Sequence, residues 1–475
     1  MNAATFRTLG HRLVDWVADY WDRVESLPVR SPLAPGQVAA RLPAAAPEAP
    51  DDWEAILADL DEVVVPGLTH WQHPSFFAYY PANVSGPSVL GELVSAGLGA
   101  QGMLWQTSPA MTEVETRVLD WMADLLGLSA EFRSDAPTGG GVIQGTASEA
   151  TLVSLLAARA RAGGPVAELC VYTSSQAHSS VVKAAMVAGL AQGPDDRRQV
   201  RLIPVDDALQ MRPDALTAAI RADRAAGMTP AWVCATVGTT GTAAVDPVPA
   251  IADVIEAEAP QAWLHVDSAY AGVLGLCPEH RHLLAGVERA DSLVVNAHKW
   301  LLTNFDCSLF WTRDRPAVLD ALSITPDYLR NAASDSGSVI DYRDWQVPLG
   351  RRFRALKLWF VLRHYGAEGL RRYLRAHVEL ARSFEAKVRS DPRFICVGDR
   401  HAALVCFRLG SGDGPTRALL GAVNATGEVF LTHTTVAHAG GSVFVIRMAI
   451  GGVRTEARHV DRAWELLQAL APSRA

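Results

Sequence analysis

No long apolar run, no cysteine pair and no block of like charge occurs in this chain. Its hydrophobic stretches are shorter than a bilayer span or broken by polar residues and glycine, so no transmembrane helix is expected. The opening MNAATFRTLGHRLVDWVADYWDRV carries charges throughout and does not read as a secretory signal. Six cysteines, at 170, 234, 277, 307, 396 and 406, are scattered without a CxxC pair. They fit buried thiols in a reducing compartment better than a disulfide framework or a zinc site. Basic clusters such as Arg351-Arg352 are short, and the net charge is −8. Neither nucleic acid nor a membrane surface is therefore an expected partner, and a cytoplasmic protein is expected.

Several catalytic signatures are missing too. There is no HExxH, and His70-x-x-His73 lacks the spaced partners of a zinc motif, so no metal is expected. No GxSxG elbow supports a serine hydrolase. The glycine-rich segment at 139–149 is neither GxGxxG nor a GKS/T phosphate loop.

What is present is a 475-residue chain, 49% hydrophobic and 20% charged, the composition of a globular protein. Phe6, Leu9, Leu13, Val17, Tyr20 and Val24 predict an amphipathic helix over 6–25. Proline-rich residues 28–50 read as a connector, and Asp51 or Asp52 caps a second helix running through Leu60. This opening segment cannot build a core alone and must pack on the rest of the chain or on another subunit. From about 86 to 370, helical candidates (111–127, 146–162, 176–190, 247–257) alternate with short apolar strands. Those strands are Leu169–Tyr172, Ala231–Thr236, Trp263–Val266 and Ser292–Val295. The alternation predicts an α/β unit with a mostly parallel, covered sheet, and polar residues gather just beyond its strands. Residues 346–385 read as helix. Strands Ala402–Leu409, Glu428–Thr432 and Ser442–Ile450 with helix 456–471 predict a small α+β domain, the boundary falling within 365–395.

Lys299, in Asn296-Ala297-His298-Lys299-Trp300, follows a strand candidate, as does Asp267 in His265-Val266-Asp267. A pyridoxal phosphate site needs an amine for the cofactor aldehyde, a carboxylate facing the pyridine nitrogen, a planar group over the ring and a phosphate cradle. Lys299 and Asp267 supply the first two, and the His178 imidazole can stack on the ring. Gly139-Gly140-Gly141-Val142-Ile143-Gln144-Gly145-Thr146-Ala147-Ser148-Glu149 is a candidate cradle, its last residues opening a helix. A structural lysine, a capping aspartate and a plain glycine turn are the alternative readings. Thr240 and Asp246 can order the loop after a further strand. Leu322–Ile340, polar and rich in breakers, reads as a loop able to close over a site, with Tyr328 on it.

On PGLTHWQHPSFFAYYP, GGGVIQGTASEATL, SSQAHSS, ATVGTTGT, HVDSAYAG, NAHKW and DYRDWQVPLGRRFRALKLWF, the chain resembles group II pyridoxal-phosphate decarboxylases, in their aromatic-L-amino-acid decarboxylase branch. The resemblance spans nearly the whole chain. It implies fold type I: a large, mainly parallel seven-stranded sheet domain (86–375), a helical N-terminal dimerisation segment (1–85) and a small C-terminal α+β domain (376–475). It implies a homodimer with shared active sites. Pyridoxal 5'-phosphate would be held by Lys299, Asp267 and His178, with Ala147, Ser148, Thr240, Asn296 and His298 around it.

The resemblance also implies decarboxylation of an aromatic L-amino acid to its amine. Lys299, Asp267, His178 and Tyr328 are the catalytic groups, and Tyr328 returns the proton. A phenylalanine at that position marks aldehyde-forming relatives, so the tyrosine favours the amine. The expected substrate pocket comprises Trp71, Phe77, Tyr79, Pro81, Gln101, Met103 and Gly350. Ala82 replaces a family threonine, Gln101 and Met103 depart from the hydrophobic or aromatic family residues, and Gly350 matches indole-preferring relatives. Tryptophan leads the expected substrates, ahead of phenylalanine, tyrosine and dihydroxyphenylalanine. An aromatic aldehyde synthase, a glutamate decarboxylase and a noncatalytic binding protein are the alternatives.

Overall fold

A computed structural model of the chain describes residues 1–438 and 441–472. The central sheet has seven strands: β1 (Gly140–Gln144), β2 (Leu169–Ser174), β3 (Val200–Ile203), β4 (Thr229–Thr236), β5 (Trp263–Asp267), β6 (Ser292–Asn296) and β7 (Ser308–Thr312). They lie in the order β1-β7-β6-β5-β4-β2-β3. β7 runs antiparallel to β1 and β6, while β2 to β6 pair in parallel. Every residue of β1, β2, β5, β6 and β7 is buried, because helices cover both faces.

A second, antiparallel sheet follows, ordered β10-β11-β9-β8. Its strands are β8 (Phe394–Cys396), β9 (Leu404–Leu409), β10 (Thr432–His438) and β11 (Gly441–Ala449), accompanied by helices Asp413–Ala425 and Ala457–Leu470. This is the fold type I architecture: a large mixed sheet with a helical N-terminus and a small α+β unit. The helix Ala3–Arg23 buries only Leu9. It is tied down at its edges, through Trp16 to Asp61 and Tyr20 to His70. Asp52 caps the next helix, its carboxylate accepting the Ala55 N–H.

Three expectations change. Helix 346–385 begins only at Arg354, runs to Ser390 and is broken by Gly366 at φ 61°. Helix 176–190 shrinks to Ser180–Val187, since residues 174–179 form the turn that presents His178. The strand expected at 428–432 starts at Thr432 instead.

The glycine run is also corrected. Gly140–Gln144 is a buried strand, not a cradle. A Cβ on Gly141 would meet Trp311 Cδ1 at 2.7 Å and the Phe310 carbonyl at 3.1 Å, so packing on β7 requires glycine there. Only residues 145–148 stand at a helix start. Thr146 caps Ala147–Ala162, and Glu149 Oε2 accepts the Gly145 N–H.

Candidate active site

Asp267 ends β5 and Lys299 lies just past β6, so adjacent parallel strands bring both to the carboxyl edge of the sheet. There a cavity of about 580 Å³ is walled by Trp71, Tyr79, Tyr80, Pro81, Ala82, His178, Thr240, His298, Lys299, Phe305 and Arg447. The Lys299 ammonium sits 5.4 Å from the Tyr80 ring centroid, and the Arg447 guanidinium 5.2 Å from it. Burial lowers the Lys299 pKa, Asp267 opposes the shift, and Arg447 adds to it. More of the amine is therefore free to act as a nucleophile than in water. One oxygen of Asp267 accepts the Ala269 N–H at 3.0 Å.

The His178 Nδ1 accepts the Ser180 N–H at 3.1 Å, which assigns the proton of the neutral ring to Nε2. Burial lowers the His178 pKa, against the pull of Asp267 and with the push of Lys299. His298 has its Nδ1 within hydrogen-bond distance of both the Cys307 N–H (2.9 Å) and the Cys307 carbonyl (3.0 Å), and burial holds its pKa down at about 4. Phe305 packs edge-on against it, ring centroids 4.7 Å apart. Trp71, also in the lining, stacks on Tyr79 at 5.6 Å. The cavity lining thus combines polar groups, among them His178, Lys299 and Arg447, with the aromatic rings of Trp71, Tyr79, Tyr80 and Phe305.

Pyridoxal phosphate fits this donor set. The buried amine and carboxylate sit on neighbouring strands, His178 opens onto the space between, and the N-terminus of Ala147–Ala162 carries an exposed Ser148. At Gly145 a Cβ would stand 3.1 Å from Asp306 Oδ2 and 3.3 Å from Glu149 Oε2, so a side chain there would crowd both carboxylates.

A family model for the pyridoxal-dependent decarboxylase conserved domain matches residues 35–410. The chain belongs to the pyridoxal-dependent decarboxylases. Within them it falls in the aromatic-L-amino-acid decarboxylase branch. It is 46% identical to tryptophan decarboxylase 2 of Oryza sativa over 482 aligned positions, covering 98% of this chain and 95% of that protein. It is 47% identical to phenylacetaldehyde synthase of Arabidopsis thaliana, covering 98% and 96%. A crystal structure of Oryza sativa TDC with PLP and tryptamine superposes with a TM-score of 0.95 at 42% identity, covering 99% of this chain and 98% of that one. Like the family, this decarboxylase uses pyridoxal 5'-phosphate.

Of the residues expected from sequence, Lys299, His178, Thr240, His298, Trp71, Tyr79 and Pro81 line the cavity together. Phe77 does not: it is fully buried in the core, one strand-like step from the wall. Tyr80 lines the cavity in its place. Asn296 is buried beside the site, its side-chain oxygen accepting the Ser308 hydroxyl at 2.7 Å.

Gln101, Met103 and Gly350 lie outside this chain's cavity wall and next to one another. The Arg351 N–H donates to Gln101 Oε1, and the Arg343 N–H to the Met103 carbonyl. Tyr328 is 77% exposed and also outside it. Its loop is fastened to the same region, where Asp341 accepts from both Ser334 Oγ and the Trp105 N–H. Sequence reasoning missed Phe305 and Arg447. The signal for Arg447 was available: a lone charge in the apolar strand Ser442–Ala449 is costly to bury unless it is paired.

Proposed function

We propose that the protein decarboxylates an aromatic L-amino acid, L-tryptophan first, then phenylalanine, tyrosine or dihydroxyphenylalanine, giving the amine and carbon dioxide. The observation that carries this is the mixed lining of one cavity, in which Lys299 and His178 share the wall with Trp71, Tyr79, Tyr80 and Phe305. The bound cofactor supplies an electron sink for the pair left by the departing carboxylate.

This chain's residues do the rest. Lys299 would hold the cofactor aldehyde, and Asp267 would keep a proton on the pyridine nitrogen. His178 would lie against the ring, and the helix start at Ala147 and Ser148, with Thr240, Asn296 and His298 nearby, would surround the phosphate and ring. The aromatic wall orients the side chain so that the bond to the carboxylate is the one broken.

Residues 1–85 we assign to dimerisation, with 86–375 as the cofactor domain and 376–475 as the small domain. Apolar side chains stand exposed on the helix Gly86–Leu98 (Leu90, Leu93, Val94, Leu98) and at Val347 and Leu349, an apolar area that favours a second copy as cover. In such a homodimer Gln101, Met103 and Gly350 complete the opposite site. Tyr328 of the partner subunit returns the proton to the substrate Cα. Six unpaired cysteines accord with a reducing, cytoplasmic setting.

An aldehyde-forming reaction is the second reading, favoured by the similarity to phenylacetaldehyde synthase; Tyr328 argues for the amine. The test is a panel of tryptophan, tyrosine, phenylalanine, dihydroxyphenylalanine, histidine and glutamate, scored for carbon dioxide and organic product. Mainly aldehyde, or a preference for glutamate, refutes the proposal. Lys299→Ala should abolish turnover while far-UV circular dichroism stays native, and normal turnover would refute the assignment of that lysine.

A further inference from the structure

The segment carrying the aromatic wall is stitched to the small domain. The Phe430 N–H donates to the Ser75 carbonyl, the Phe77 N–H to the Phe430 carbonyl at 3.0 Å, and the Ala449 N–H to the Phe77 carbonyl at 3.0 Å. A regular parallel ladder would next pair the Tyr79 N–H with the carbonyl of residue 432. Tyr79 departs from it, turning to φ 53°, and donates to the Thr432 side-chain hydroxyl at 3.1 Å. That departure accompanies the turn of the Tyr79 ring onto Trp71. A non-glycine residue at positive φ is disfavoured, so the N–H contact holds the turn in place.

Thr432 is also the cross-strand partner of Arg447, and its hydroxyl accepts from Arg447 Nη1 at 3.1 Å. Arg447 spends its other nitrogens on the loop after β4, donating to the carbonyls of Thr240 (2.8 Å) and Gly241 (2.7 Å). The two lone pairs of one hydroxyl thus join Tyr79 to Arg447, and through Arg447 to Thr240, all three of which line the cavity.

We propose that Thr432 is a positioning residue for the decarboxylation, setting the aromatic wall and the Thr240 loop at a fixed spacing around the substrate ring. This rests on the reading of the cavity as an aromatic-substrate site. Removing the hydroxyl frees the Tyr79 N–H and one arm of Arg447 together, loosening substrate binding more than the chemical step.

The test is steady-state kinetics of the cofactor-loaded enzyme with L-tryptophan and L-phenylalanine, comparing wild type, Thr432→Val and Thr432→Ser. Thr432→Val is expected to raise KM about tenfold for both substrates with kcat within about threefold, and Thr432→Ser to return KM to within about twofold of wild type. A wild-type KM in Thr432→Val, or a serine variant as impaired as the valine one, overturns the proposal. If Thr432→Val does not accumulate as folded protein, Thr432→Ala carries the same expectation and the same refutation. Wild-type protein inert toward both substrates would sink the aromatic-substrate reading and this inference with it. Active wild type with an unaltered valine variant sinks this inference alone.

Discussion

Trp300, one residue past Lys299, donates its indole N–H to Nδ1 of His377 at 3.0 Å. His377 belongs to the long helix Arg354–Ser390, so that helix braces the segment presenting Lys299. The bond needs an unprotonated Nδ1, and burial holds the His377 imidazole down at about 4. His377→Phe strands the indole N–H in the core and should cost about 1–3 kcal/mol, measured by urea unfolding. His377→Asn keeps an acceptor and should recover part of the loss.

Four buried imidazoles, of His73, His265, His298 and His377, are held by burial at about 4. Unfolded, each would titrate near the ordinary histidine value of about 6.5. Between these values the unfolded chain binds more protons, so stability falls as pH drops from about 6.5 to about 4 and is intact above that window. Asp246, raised by burial to about 7, works in the opposite sense there, since the folded state holds its proton longer. Melting temperatures of the apoprotein from pH 7.5 to 4.5 should decline, and a flat profile would contradict the burial of these rings.

Tyr328→Phe removes the phenolic proton while keeping the ring on its exposed loop. Amine formation should fall by about a hundredfold, the usual scale of a lost general acid, while carbon dioxide release falls much less. Parallel assays of carbon dioxide, amine and aldehyde decide it. Equal loss of all products would mean that the tyrosine serves binding rather than proton return.

Gly141→Ala separates packing from phosphate binding. The added methyl collides with Trp311, so thermal stability should drop by about 1–3 kcal/mol. Cofactor affinity, measured by equilibrium titration on the folded fraction, should stay within about threefold. A selective loss of affinity at unchanged stability would restore the cradle reading of the glycine run.

The strands that present the candidate site residues were legible because each is a short apolar run ended by a polar residue. Asp267 and Lys299 stand at such ends. β1, β3 and β7 were not legible: β1 reads as a glycine run because Trp345 and Trp311 leave no room for side chains, a fact of tertiary contact alone. Phe77 and Tyr80 were swapped because a positive φ at Tyr79 breaks the alternation that assigns faces along an extended segment. Arg447 was missed because its partners, the carbonyls of Thr240 and Gly241, lie more than two hundred residues away in sequence.

The union of Ser75–Tyr79 with β10 and β11 has a consequence for biosynthesis. The bond from Tyr79 to Thr432 spans 353 residues. At about 5–20 residues per second, this strip of the cavity wall leaves the ribosome roughly 20–70 s before its partners exist. Until then the Phe77 and Tyr79 N–H groups lack their native acceptors, so a nascent chain holds no finished cavity wall before residues 430–449 have been made.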